Sequence, residues 1–459
     1  MQPFDQTIAA LSTPPGKGGV ALIRISGKDT VDIVSKCFKA KSGKDASALP
    51  ARTAVYGNFI ADGESIDDVL LTLFPAPHSY TGEDMAEITT HGSMLIVELA
   101  LGALYAAGAR AAEKGEFTRR ALLSGKLSLA EAEAIGELLD AKSHAQLRLF
   151  EEGSRTHLAK ALGDLYEELA TLISSVYARI DYPDEDLADL SEEEIAKAAE
   201  RLLEKCTSLA ATYKTGRAIS EGIGAVLLGK PNTGKSTLYN LLCGRDAAIV
   251  TDIAGTTRDV LESTVSAGKV LLRLFDTAGV RETDDPIEKI GVERSRQAAK
   301  VAELVLVLFD ASLPFDEEDA ALLSFVDTLS GEKIALLNKS DLSSCFDTAK
   351  IKGHFGKVLS FSARRGDLSE LYSHIEQLFT DERIKLGEDA VLFSARQYAA
   401  LKSAGAYLST AIDALRAGCA TDAAAGDLEL ALGALSESDG RAVSEDVVAH
   451  IFGKFCVGK

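Results

Sequence analysis

The sequence predicts a multidomain α/β and all-α protein: an N-terminal α/β domain, a helical-bundle domain built from two chain segments, and an inserted P-loop domain with a mainly parallel sheet. Three observations predict it. Gly229-Lys230-Pro231-Asn232-Thr233-Gly234-Lys235-Ser236 follows the apolar run Ala225-Val226-Leu227-Leu228 and precedes the helix-like Leu238-Tyr239-Asn240-Leu241-Leu242. That is the strand, glycine turn and helix start of a phosphate-binding GxxxxGK[ST] loop. Around it, short continuous apolar runs alternate with helical stretches, as strands buried on both faces of a parallel sheet do. Helical sequence rich in Ala and Leu lies on both sides of this region. The economical division is therefore 1–123, 124–216, an inserted 217–381, and 382–459, insertion being tolerated at surface loops.

Composition narrows the class. The chain has 459 residues, with 69 acidic against 49 basic and a formal charge of −20. This argues against a protein that coats nucleic acid non-specifically, although an RNA docked on a local basic patch remains compatible. Six cysteines, at 37, 206, 243, 345, 419 and 456, are scattered without a CxxC pair. With no signal peptide and no apolar run long enough to span a membrane, a reduced, cytoplasmic location is expected. The seven histidines show no ligand spacing, so no zinc site is expected.

Taken in order, residues 19–25, 69–74 and 85–90 read as strands, and 31–38 and 94–107 have helical spacing. Leu158, Leu162, Leu165, Leu169, Leu172, Val176 and Ile180 recur every three or four residues, one apolar stripe on a long bundle helix. Tyr182-Pro183-Asp184 breaks it, and an acidic stretch, a solvated face and helix start, leads into a second helix over 195–209. Residues 270–275, 304–309, 334–337 and 358–361 read as buried strands.

The chemistry is concentrated at the ends of those strands. In the loop, Asn232, Thr233, Gly234, Lys235, Ser236 and Thr237 form a phosphate cradle, with Lys235 toward the outer phosphates and Ser236 on Mg²⁺. Asp276-Thr277-Ala278-Gly279 follows a strand; its Asp can reach Mg²⁺ through water and Gly279 can offer an N–H to a γ-phosphate. Asn338-Lys339-Ser340-Asp341 places a carboxylate where the N1–H and N2–H₂ edge of guanine needs one, and Ser362-Ala363-Arg364 fits a backbone contact to the guanine carbonyl. These motifs, in this order, predict a Ras-like domain for GTP rather than ATP. Thr251-Asp252-Ile253-Ala254-Gly255-Thr256-Thr257 occupies the first switch, with Thr257 the second Mg²⁺ hydroxyl. Val280 follows Gly279 where small GTPases carry a water-orienting Gln. Asn232 and Thr256 offer side-chain oxygens for a monovalent cation. Glu288 has two readings, a water-orienting residue or an ordinary helix-face glutamate.

The ordered set Thr13-Pro14-Pro15-Gly16, Tyr80-Thr81-Gly82-Glu83-Asp84, Gly115-Glu116-Phe117-Thr118-Arg119-Arg120-Ala121, the GTPase motifs and the terminal Cys456-Val457-Gly458-Lys459 resembles the tRNA-modification GTPase family MnmE (TrmE), over essentially the full length. The resemblance implies a homodimer working on tRNA with an FAD-dependent, MnmG-like (GidA-like) partner in a heterotetramer or larger assembly. The product is an aminomethyl or carboxymethylaminomethyl group at C5 of the wobble uridine. A tetrahydrofolate derivative, 5-formyl or methylene in type, would supply the one-carbon unit from the N-terminal domain. By matching motifs, its contacts are Arg24, Glu87, Lys126 and Lys459. The resemblance also implies K⁺-stimulated hydrolysis activated by pairing of G domains, with K⁺ held by Asn232, Thr256 and the carbonyls of Thr251 and Ile253. It favours the water-orienting reading of Glu288. Cys456 keeps two readings, a part in the modification chemistry or buried packing. A ribosome-assembly switch would share the GTPase motifs but would not need the terminal Cys-Val-Gly-Lys or the segment from Tyr80 to Glu87. A folate-binding scaffold with a merely regulatory GTPase is the other alternative.

Overall fold

The computed structural model describes residues 6–181, 191–245, 262–275, 296–418, 421–441, 448, 451–453, 455 and 457–458. Two compact units divide the chain, the first comprising 1–136 with 435–459, the second 137–434. Among the described residues, no helix is long and apolar enough to cross a membrane.

The first unit is built on a seven-stranded sheet. Its strands are β1 (Ile8–Leu11), β2 (Val20–Ser26), β3 (Phe38–Ala40), β4 (Val55–Ala61), β5 (Glu64–Phe74), β6 (Met85–His91) and β7 (Arg110–Ala111), in the order β3-β4-β5-β6-β2-β1-β7. All neighbours are antiparallel except β1 with β7. Side-chain alternation along β2 decides the faces. Ala21, Ile23 and Ile25 join the core under α1 (Thr30–Cys37) and α2 (Met94–Ala107). Arg24, between them, points to the other face. There α3 (Glu116–Leu123) brings Phe117 onto Ile8 and Ala10. α4 (Leu129–Leu139) starts in a capping box, with the Ser128 amide donating to Glu131 Oε2 at 2.8 Å and the Glu131 amide to Ser128 Oγ at 3.2 Å. Phe452 and Phe455 pack on Ala132 in the same unit.

The second unit combines a six-stranded sheet with helices from both flanks. The flanking helices are α5 (His144–Phe150), α6 (Glu152–Asp181), α7 (Glu192–Ala211) and α8 (Tyr213–Ser220) before the sheet, and α12 (Ala395–Arg416) and α13 (Thr421–Asp439) after it. α7 packs along both α6 and α12, so helical segments separated by the sheet region meet in one layer. On α6 the expected stripe is buried from Leu158 to Val176, but Ile180 is 37% exposed, so the apolar face ends one turn earlier than its spacing suggests. At the described end of the acidic stretch, Glu192, Glu193 and Glu194 form the first turn of α7, and Ser191 and Glu194 cap it reciprocally.

The sheet has strands β8 (Ile223–Gly229), β9 (Glu262–Ala267), β10 (Val270–Phe275), β11 (Leu304–Asp310), β12 (Glu332–Asn338) and β13 (Lys357–Ser360), ordered β13-β12-β11-β8-β10-β9. Every pair is parallel except β9 with β10. The central strands are buried along β11 and along β8 up to Leu228, as their uninterrupted apolar sequences require. α9 (Lys235–Arg245), α10 (Glu317–Val326) and α11 (Ser369–Phe379) follow β8, β11 and β13. The carboxyl ends of β8, β11 and β12 lie side by side, which is where open α/β sheets bind ligands.

Candidate functional site

At the end of β8 the chain turns through Gly229 and Asn232, with φ of 153° and 61°, and enters α9 through Gly234 at φ 100°. A Cβ on Gly234 would sit 2.1 Å from Asn338 Nδ2, so any side chain there would displace the loop. Thr233 is buried, and its hydroxyl donates to the Lys230 carbonyl at 2.8 Å. Lys235 folds back over the loop, donating to the carbonyls of Gly229 at 2.8 Å and Lys230 at 2.7 Å. Burial lowers its ammonium pKa. Asn232 and Thr237 are exposed, and Ser236 stands in the first turn of α9. The result is a preformed concave backbone with its lysine and helix start on one side, the geometry of a phosphate cradle.

The base-recognition segments close on this loop. Asn338, 2% exposed at the end of β12, donates to the Thr233 carbonyl at 2.7 Å and accepts from the Ala363 amide at 2.9 Å. One side chain therefore ties the phosphate loop to the Ser362-Ala363 turn. Asp341 accepts from Ser362 Oγ at 2.7 Å, and that bond holds its carboxyl below the usual range, with the nearby Arg364 and Arg365 charges adding to the effect. Ser362 and Ala363 are buried, while Arg364 is exposed. Lys339, at φ 61°, donates to Asp310 Oδ2 at 2.5 Å. Burial alone would raise the Asp310 pKa, but its bonds from Lys339 and Ser312 outweigh burial and lower it. Asp310, Asp316 and Asp319 are polar residues at this site that no motif marks. Their only signal in the sequence is the placing of carboxylates just beyond a buried apolar strand.

Residues 251–259, 276–280 and 288 lie outside the described residues, so the switch set Thr251, Asp252, Ile253, Ala254, Gly255, Thr256 and Thr257, the Asp276-Thr277-Ala278-Gly279 segment and Glu288 have no described geometry. The same holds for Cys456 and Lys459. No cluster of metal-ligating side chains occurs among the described residues.

In the first unit, Arg24 and Glu87 face each other directly across β2 and β6. Arg24 donates through Nε at 3.1 Å and a terminal nitrogen at 2.7 Å, both to Glu87 Oε1. Its guanidinium lies 5.7 Å from the Tyr80 ring centroid and 5.9 Å from that of Phe117, and its other terminal nitrogen is 3.4 Å from the Gly458 carbonyl. The Gly458 carbonyl also accepts from Ser12 Oγ at 2.9 Å, and Val457 bridges Lys114. The C-terminal tail is thus fastened beside the pair. The stem of Lys126 lies near Gly82. Behind the Tyr80–Asp84 segment is a buried ionic network. Arg120 bonds Glu83 at 2.9 Å and Glu116 at 2.9 Å, and Arg110 also binds Glu116. Burial pushes the Glu116 pKa up, but hydrogen bonds from Arg110, the Glu113 amide and Arg120 reverse this and leave it lowered.

A phosphate cradle after β8, a carboxylate poised after β12 and the parallel sheet joining them define a P-loop guanine-nucleotide-binding protein, a GTPase by class. The helical domain model of MnmE matches residues 129–456 and the model for the N-terminus of the GTP-binding protein TrmE matches 7–126. The tRNA modification GTPase MnmE of Thermotoga maritima is 38% identical over 99% of this chain and 100% of its own length. That of Moorella thermoacetica is 39% identical over the same shares. This chain belongs to the MnmE family. Among solved structures, Era of Aquifex aeolicus bound to GDP·AlF4⁻ is 23% identical over 40% of this chain and 66% of that one, with a TM-score of 0.28.

Proposed function

We propose that this chain hydrolyses GTP in order to modify tRNA, acting with an FAD-dependent, MnmG-like partner to add an aminomethyl or carboxymethylaminomethyl group at C5 of the wobble uridine. The carrying observation is Asn338, whose two bonds join a phosphate cradle to the turn beside Asp341. That arrangement suits a nucleotide whose base offers two donors at one end and whose phosphates lie at the other. Membership of the MnmE family supports the link to tRNA.

The roles follow from the chemistry of each position. Asp341, held by Ser362, accepts from the guanine edge, and the backbone of Ser362, Ala363 and Arg364 faces the base carbonyl. Lys235 gives two of its three ammonium donors to the Gly229 and Lys230 carbonyls and turns the third to the outer phosphates. Ser236 and Thr257, with Asp276 through water, would hold Mg²⁺, which screens charge on the phosphates. Asn232, exposed at the loop tip, fits a monovalent cation whose other ligands would be Thr256 and the carbonyls of Thr251 and Ile253. Potassium there would neutralise charge developing in the transition state. Thr277, Ala278 and Gly279 complete the γ-phosphate side, residues 251–257 form the surface across which two G domains pair, and Glu288 orients water in place of the absent Gln. The inserted module is 217–381, flanked by helical segments 124–216 and 382–459, and the protein acts in the cytoplasm as a homodimer.

On the sheet face of the first unit, Arg24 and Glu87 with Lys126 and Lys459 would bind a tetrahydrofolate, which supplies the one-carbon unit. The fit is chemical: Glu87 keeps a quarter of its side chain exposed and is paired with Arg24, whose guanidinium lies by the Tyr80 and Phe117 rings, an acceptor in an aromatic-lined neighbourhood, which suits a pterin. Cys456, two residues before Gly458, is the tail residue to test for a part in the chemistry. The deciding experiment combines this chain with the flavoprotein, tRNA, GTP and a folate, followed by nucleoside analysis. A modified wobble uridine that requires GTP hydrolysis is expected. Modification that persists in cells lacking this protein would instead favour a ribosome-assembly switch or a folate-binding scaffold.

A further inference from the structure

The segment joining β11 to α10 belongs to no nucleotide-binding motif, yet it grips lysines of two of them. Asp310 ends β11 at 6% exposure, and its Oδ2 receives the Lys339 ammonium. Its Oδ1 is fixed in turn by the Ser312 amide at 3.0 Å and hydroxyl at 2.6 Å. At the other end of the segment, Lys230 of the phosphate loop donates to Asp316 Oδ2 at 2.6 Å and Asp319 Oδ2 at 2.9 Å. These two carboxylates also form the capping box of α10, with Asp319 N donating to Asp316 Oδ1 at 3.0 Å and Asp316 N to Asp319 Oδ2 at 3.2 Å. A helix start therefore fixes them in place.

The Lys230–Asp319 contact is too sheltered to be an ordinary surface ion pair, which contributes little, whereas Asp316 is 52% exposed. The side chains of Lys230 and Asp319 are 13% and 3% exposed. Asp319 Oδ1 is buried without a hydrogen-bond partner among the described residues. A buried carboxylate oxygen left this way is costly and calls for an explanation. The Lys230 carbonyl, meanwhile, accepts from both Lys235 and Thr233. The path from α10 to the phosphate-binding lysine is Asp319, Lys230, Lys235.

We propose that residues 310–319 brace the nucleotide site: Asp310 sets Lys339 against the base, and Asp316 with Asp319 sets Lys230, and through its carbonyl Lys235, against the phosphates. All three aspartates and Lys230 are positioning residues. The inference rests on reading this site as the GTP site. Two full-length variants test it, using release of fluorescent N-methylanthraniloyl-GDP and steady-state GTP turnover. Asp310→Asn is expected to speed GDP release about tenfold, the loss of one charge-assisted hydrogen bond, while the preference for guanine over xanthine holds because Asp341 is intact. Lys230→Met is expected to lower kcat about tenfold with little change in KM, a loss felt in the transition state, and Lys230→Arg to restore most of it. Unfolding temperatures without nucleotide monitor the fold separately. Variants that unfold earlier but release GDP and turn over GTP at wild-type rates per folded molecule would overturn the brace, as would variants identical to wild type. A wild-type chain that fails to bind the fluorescent GDP would overturn the nucleotide reading itself, and the brace with it.

Discussion

The carboxyl edge of the six-stranded sheet and the open face of the seven-stranded sheet both carry candidate ligand residues, but they are assembled differently. At the first, chemistry comes in contiguous stretches at strand ends, and polar side chains mostly hold backbone: Asn338 binds the Thr233 carbonyl and the Ala363 amide. At the second, side chains hold one another: Arg24 binds Glu87, and Arg120 binds Glu83 and Glu116. A backbone-built site tolerates changes in neighbouring side chains and loses function when its one specific carboxylate changes. A site built on ion pairs depends on every partner, since a charge left alone in a buried place is costly.

The largest expected effect is therefore at Asp341. Asp341→Asn exchanges an acceptor for a donor facing the guanine N–H groups and should weaken GTP binding roughly 10³-fold while favouring xanthosine triphosphate, as sites built to match a polar edge discriminate strongly. Competition binding with the two nucleotides measures this. Unchanged GTP affinity would remove Asp341 from base recognition.

Next is the ionic network of the first unit, where the expected loss is of stability. Glu116 and Arg120 side chains are 3% and 2% exposed. Glu116→Gln removes the charge that Arg110 and Arg120 share, leaving Arg120 with Glu83 alone as its carboxylate partner, and should cost about 3 kcal/mol in chemical denaturation. The folded-state pKa of Glu116 lies below its ordinary value of 4.5. Its stabilisation is thus complete above about that pH and is lost as pH falls through the lower folded-state value. Acid denaturation of the wild type should steepen in that window, and the Gln variant should lack this component. A variant with the same acid profile as wild type would show that the network is not the acid-sensitive element.

How much of each region is legible in the sequence follows from the same contrast. The phosphate loop lies within eight consecutive residues, and buried strands such as Val270–Phe275 betray themselves by unbroken apolar runs. The α2 helix Met94–Ala107 matches its predicted bounds because its spacing is continuous. The strands β1, β3, β4, β7 and β9 are not legible: they are short or half-exposed, and β9, Glu-Ser-Thr-Val-Ser-Ala, is a polar edge strand. The Arg24–Glu87 contact is a product of strand register between residues far apart in sequence, and the three aspartates at 310, 316 and 319 owe their role to a loop path. Spacing contains neither. Only resemblance to a known family singles out Arg24 and Glu87.

A smaller effect probes Asn232 at the tip of the phosphate loop. GTP turnover should be roughly tenfold faster in K⁺ than in Na⁺ at equal ionic strength, since one well-placed charge near the phosphates is worth at least that much. Asn232→Ala should erase the difference. Equal rates in the two salts for the wild type would reject the cation site.

The smallest expected effect decides what Arg24 does. As separate ligand contacts, Arg24 would read the glutamate carboxylates of a folate while Glu87 reads the pterin. In the structure both Arg24 bonds to Glu87 land on Oε1, leaving Oε2 as the oxygen that can turn to a ligand. The guanidinium is also flanked by the Tyr80 and Phe117 rings and a tail carbonyl. So committed, it has little left to offer a distant carboxylate and serves to aim Glu87. Arg24→Gln should then weaken a tetrahydropterin and a tetrahydrofolate by the same factor, about fivefold for a pair that stays partly solvated. Glu87→Gln should weaken both further, because it removes the acceptor itself. Calorimetric titration with the two ligands separates the roles: a loss confined to the glutamate-bearing ligand would make Arg24 a tail reader, and the two regions would then differ less than their hydrogen bonds imply.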